Sequence, residues 1–129
     1  MADEVSEERT KTREDYEPRA WAKAQKMRWN ATYRARKRGG TCDLTTQWLA
    51  DQIEAGVCAQ TGLPFSLDPD PHRRNPYSPS LARINHQNPN YTIDNCRVVL
   101  SIVNTMQNDA TEQDLLLVCL ALLKRRNLI

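Results

Sequence analysis

The side chains best suited to chemistry gather between Pro79 and Asp109, in the stretch PSLARINHQNPNYTIDNCRVVLSIVNTMQND. Arg83 carries a permanently charged fork that grips a phosphate in two places but accepts no proton. His86 is the nearest group that titrates near neutrality, with a reference pKa of about 6.5; an exposed loop side chain is the plainer account of it. Asn104 offers an amide oxygen, a donor that hard divalent cations accept. Asp94 is a nearby acid, better read as a turn residue.

A strand–loop–strand–helix unit must position these groups. Ser80 to Asn85 is a short β-prone run. Asn88-Pro89-Asn90 is a turn signal, because Pro fixes φ and Asn tolerates the left-handed region. Cys96 to Leu100 is rich in apolar and β-branched residues, which predicts a second strand. From Ser101 the period becomes helical: Ile102, Val103 and Met106 share one face, while Asn104, Gln107 and Asn108 form a polar one that could line a site.

This order of residues resembles the HNH-like endonucleases of phages and mobile elements, built on a ββα-metal hairpin and helix. The matching positions are Ser80-Leu81-Ala82-Arg83-Ile84-Asn85, then Asn90-Tyr91, Asn95 and Asn104, with likeness extending from Cys58 to about Leu123. The resemblance implies an α+β fold, a small ββα-metal hairpin-plus-helix core flanked by N-terminal and C-terminal α-helices. It also implies hydrolysis of DNA phosphodiester bonds with Mg²⁺ or Mn²⁺, in a homing or nicking role. Such a metal stabilises charge on the phosphate and leaving oxygen while a base activates water. The implied catalytic set is Arg83 on the scissile phosphate, His86 as nearest candidate base, and Asn95 bonding the loop backbone. The implied metal pair is Asn104 with position 82.

Several family positions differ. Ala82 stands where the family has its metal-binding Asp, Asn85 replaces a second acid, and Gln107 replaces a helix Lys that faces DNA. Arg83 occupies the place of the usual catalytic His. Ala has no oxygen for a cation, so the chain as written is expected to bind metal weakly and cleave little. Two accounts fit Ala82: natural loss in a nuclease kept as a DNA-binding or inhibitory protein, or an Asp→Ala change made to trap a DNA complex or silence a toxic enzyme.

At 129 residues the chain is expected to form one domain with a tail. The expected divisions are an acidic tail over 1–14, disordered or a frayed helix start, a basic helical region over 15–56 and the nuclease-like core with its final helix over 57–129. The net charge is only +2, but residues 11–38 hold ten Lys or Arg against three acids. A basic block of this kind in a near-neutral protein suits a polyanion. Cys42, Cys58, Cys96 and Cys119 lack C-x-x-C spacing, so reduced, mostly packed thiols are expected. A structural zinc held by Cys58, Cys96, His72 and His86 is the disfavoured alternative.

A helix from Pro18 to about Arg38 is expected, ended by Gly39-Gly40. Ala20, Trp21, Ala24, Met27, Ala31 and Ala35 form its core face. Arg19, Lys23, Lys26, Arg34 and Lys37 form a second stripe, either a solvated face or, as the resemblance favours, a contact for DNA phosphates. A short helix follows to Ala55, capped by Thr45 or Thr46, with Trp48 in the core. The proline-rich loop Asp68–Pro79 carries Arg73 and Arg74, which the resemblance sets beside the DNA backbone. Leu115 to Leu123 is nine consecutive apolar residues, too few to span a membrane, so this helix is buried or forms an interface with a second copy or another protein. The partners expected are double-stranded DNA and no membrane. With an acidic, polar start and no signal pattern, the expected place is the cytoplasm, that of the host if phage-encoded. Two non-enzymatic alternatives remain, a DNA-binding module on the same scaffold and a protein-inhibitory factor.

Overall fold

The computed structural model describes residues 11–129, which form an α+β protein with four α-helices and one two-stranded antiparallel sheet. Most of the expected tail lies outside the described residues. Its last part, Arg13–Asp15, forms a single 3-10 turn. The Thr12 N–H donates to Asp15 at 2.8 Å, and that reciprocal cap holds a turn that polarity alone does not suggest.

Helix α1 spans Pro18–Lys37, with Pro in the first turn and the Glu17 carboxylate accepting the Ala20 N–H at 2.9 Å. Gly39, at φ +74°, ends it. All six residues of the expected apolar face are buried. Helix α2 spans Thr46–Glu54, capped by Thr45, whose hydroxyl accepts the Trp48 N–H at 3.0 Å. Leu49, Ala50 and Ile53 complete the core beneath α1, and Trp48 packs partly buried at its margin.

Strand β1, Pro79–Arg83, pairs with β2, Cys96–Leu100, in a register running from Pro79 opposite Leu100 to Arg83 opposite Cys96. The first strand ends two residues early. Ile84 N–H still donates to the Asn95 carbonyl at 2.7 Å, but the Asn85 N–H turns to the Asn95 side chain instead. Leu81, Cys96 and Val98 join the main core with α1 and α2. On the other side, Val99 packs with Cys58, Leu100, Val103 and Ala82.

Helix α3, Ser101–Gln107, follows β2 without a linker. Only Val103 of its expected apolar face is buried; Ile102 and Met106 stay exposed, because a two-stranded sheet is too narrow to cover a full helix face. Helix α4 spans Glu112–Arg125, started by the Thr111–Asp114 capping box. None of its residues is buried, which removes the expectation of an enclosed helix. No helix among the described residues is long and apolar enough to cross a membrane.

Gly40 joins α1 to the hairpin loop. A Cβ here would lie 2.5 Å from the Pro89 carbonyl oxygen and 2.7 Å from its carbon. Both are backbone atoms, pinned because the Asn90 side chain accepts the Thr41 N–H at 2.9 Å and the Tyr91 N–H donates to Thr41 at 2.8 Å. Gly40→Ala is expected to lower stability by about 1–3 kcal/mol in urea unfolding. A variant as stable as the parent would mean that the loop yields freely.

Candidate functional site

The loop between the strands is held from within. Asn95, only 5% exposed, accepts the Asn85 N–H at 2.9 Å and donates to the carbonyls of Asn90, Asn88 and Asn85 at 3.0, 3.3 and 3.4 Å. Its polar atoms are therefore committed to the loop backbone. Arg83 donates through Nη1 to the carbonyls of Asn88 at 2.7 Å and His86 at 3.2 Å, with its guanidinium 5.6 Å from the Tyr91 ring centre. Its Nε and Nη2 make no protein hydrogen bond among the described residues, so two edges of the fork remain for an anion. Arg38 joins this group from the end of α1, donating to the Tyr91 hydroxyl at 3.1 Å.

Ala82 and Asn104 line one narrow cleft of about 10 Å³, with Arg83, His86 and Arg97 beside them. Asn104 donates through Nδ2 to the Leu81 carbonyl at 3.2 Å and to Ser80 Oγ at 2.9 Å. A carbonyl only accepts, which fixes the amide orientation; among the described residues Oδ1 has no hydrogen-bond partner. Arg97 stands directly opposite Ala82 in the hairpin register, and its buried Nε has no hydrogen-bond partner among the described residues. His86 Nδ1 lies 3.9 Å from Asp109 Oδ1, an ion-pair distance when the imidazole is protonated.

This donor set does not fit Mg²⁺ or Mn²⁺. One amide oxygen faces the cleft, Ala82 contributes nothing, and arginines surround it, whereas such cations want several oxygens, with carboxylates among them. Among the described residues no three His, Cys, Asp or Glu side chains are placed to share a metal. Cys58 lies in the smaller core, its sulfur accepting the Leu100 N–H at 3.3 Å. Cys96 lies in the main core, its thiol pushed up to about 12 chiefly by burial. His72 is exposed on the proline-rich loop.

A larger groove of about 470 Å³ runs between α1 and the loop before β1, and Lys23, Lys26, Arg34, Arg73 and Arg74 line it. Its two acids are already paired: Asp68 with Arg19 at 2.9 Å, Asp70 with Arg73 at 3.3 Å. Burial holds the Lys23 ammonium below the usual lysine range, with Lys26 and Arg74 adding repulsion. Arg34 and Leu81 also line the space around Arg83 and Asn104, so groove and cleft adjoin.

The stripe expected on α1 is thus divided. Lys23, Lys26 and Arg34 open into the groove, whereas Arg19 is taken up by Glu17 and Asp68, and Lys37 lies 5.1 Å above the Tyr33 ring. Gln107 accepts from Gln60 at 2.9 Å and donates to the Ala110 carbonyl at 3.2 Å, so its amide braces the turn after α3. Sequence reasoning did not single out Arg38 or Arg97. The signal for Arg97 was its alternation with Val98 on β2, which puts it on Ala82's face once the register is known; Arg38 carried none, because its role depends on Tyr91 arriving from a distant loop. A scan of known protein families finds no model that matches the chain, and searches of curated proteins and of solved structures find no match either.

Proposed function

We propose that the chain binds duplex DNA on the scaffold of an HNH-like ββα-metal endonuclease whose metal position has lost its carboxylate. The observation that carries this reading is the meeting of groove and cleft: Lys23, Lys26, Arg34 and Arg74 line the groove, and Arg34 continues into the space around Arg83, Asn104 and position 82. A duplex phosphate strand is the polyanion whose charge spacing suits such a row. Arg83 holds one phosphate through its free Nε and Nη2, and Lys23, Lys26 and Arg34 hold its neighbours. Asn95 keeps the loop in shape, and His86 stands at the edge of the cleft, 3.9 Å from Asp109. As written, the site grips DNA without the ligand set for metal-assisted hydrolysis.

The test pairs a binding titration with plasmid nicking. Duplex affinity should fall steeply with salt, and relaxed circles should stay at background with Mg²⁺ or Mn²⁺. Salt-independent binding, or brisk nicking by this chain, would refute the reading.

A second copy covers α4 in the same proposal. Eight apolar side chains between Leu116 and Ile129 are 38–68% exposed. Leu116, Leu120 and Leu123 stand four and three residues apart and share one face of α4, an apolar stripe that a second helix can cover. Glu112 and Asp114 start the helix, and Lys124 and Arg125 end it. Two antiparallel copies therefore bring acid against base at both ends, as a two-fold interface requires. Residues 1–10 are acidic with few apolar side chains and do not suit this surface. Light scattering should give a dimer, and Leu116→Asp with Leu120→Asp a monomer. A monomeric parent at high concentration would exclude the pairing.

A further inference from the structure

Helix α1 carries a second exposed feature that phosphate binding leaves unexplained. Trp29 is 77% exposed and Tyr33 57% exposed. They border an open space of about 500 Å³ with Arg28, Arg36, Thr32 and Gln25. Among the described residues only Tyr16 and Trp21 form a ring pair, so these two rings do not stack on each other. The other tryptophans are withdrawn: Trp21 is buried and Trp48 packs against the core.

The surroundings select the ligand. From Pro18 to Arg38 the chain has eight Lys or Arg and no acid. Lys37 lies over the Tyr33 ring, Arg36 lines the same space, and Lys26 lies one turn before Trp29 and opens into the phosphate groove. An apolar protein partner would gain nothing from this charge. A ligand with a flat π-face and an attached anionic chain satisfies both parts. Trp29 and Tyr33 stand four residues apart, about 6 Å along the helix axis between their Cα atoms, so both rings lie on one side of α1. Paired bases in a duplex do not offer their faces; unpaired ones do.

We propose that Trp29 and Tyr33 form a stacking platform for unpaired bases of single-stranded DNA, set beside the phosphate groove. This deepens the proposed DNA-binding function by naming its substrate class: DNA with a gap, fork or single-stranded end. Backbone phosphates occupy Lys23, Lys26 and Arg34, and bases leaving the duplex turn across the helix onto the two rings.

The experiment uses the full chain with an oligo-dT strand, a blunt duplex and the same duplex carrying a dT overhang. Oligo-dT should quench the tryptophan emission, and Trp29→Phe should remove most of that quenching. Trp29→Ala and Tyr33→Ala should each weaken oligo-dT and overhang binding at least about tenfold, with blunt-duplex affinity held within about twofold. Unchanged oligo-dT affinity in both alanine variants would overturn the platform, as would an equal loss on blunt duplex. Lys23→Glu with Lys26→Glu separates the two readings. If it leaves all affinities intact while Trp29→Ala lowers them, the groove fails and the platform stands; the reverse pattern keeps the groove and removes the platform.

Discussion

Ala82→Asp is expected to raise Mg²⁺- or Mn²⁺-dependent plasmid nicking by at least ~100-fold, about 2.7 kcal/mol of barrier. The new carboxylate would enter the cleft beside the free Oδ1 of Asn104, supplying the anionic oxygen that the site lacks. It would also stand opposite Arg97, whose buried Nε has no acceptor among the described residues. A carboxylate has about four lone-pair positions, so it can accept from Arg97 and still ligate a cation, and that second contact would fix its direction. Asn104→Ala in this background should abolish the gain while leaving far-UV circular dichroism unchanged. Brisk cleavage by the Ala82 chain that survives Asn104→Ala would put the catalytic metal elsewhere. Metal-dependent DNA binding with no cleavage by either chain would favour a non-enzymatic module.

Reversing two charges in the groove should have an effect of the same order on binding. Lys23→Glu with Lys26→Glu is expected to weaken duplex affinity on the order of 100-fold at low salt and to lower the salt slope by about 2. Lys23 is the sensitive position. Its ammonium is held low first by partial burial and then by repulsion from Lys26 and Arg74, both of which a phosphate would offset. The opposing acids give no relief, because Asp68 and Asp70 already face Arg19 and Arg73. If affinity and slope both persist, Lys23 and Lys26 are a solvated face and DNA, if bound, lies elsewhere.

The helical part of this architecture was legible because its signals are local. Pro18 and Gly39 bound α1, and the alanines between them mark its buried face. The strand positions were legible for the same reason, with an error only where Asn85 leaves the ladder for the Asn95 side chain. Relations across the chain were not readable. Nothing in the order of residues shows that Asp68 removes Arg19 from the basic stripe, that Arg97 lies across from Ala82, or that Arg38 reaches Tyr91. The apolar run of α4 was visible, but whether it is enclosed depends on how much sheet exists to receive it. Two strands are too few.

The loop that presents His86 is tied by amides and by Arg83: Asn95 to the backbone of Asn85, Asn88 and Asn90, Asn90 to Thr41, and the guanidinium to the carbonyls of His86 and Asn88. None of these ties involves the side chain at position 82. Over generations, then, form and chemistry can be inherited separately. The residue at position 82 can change without unsettling the loop, so a substitution there alters what the cleft can bind and leaves its frame in place.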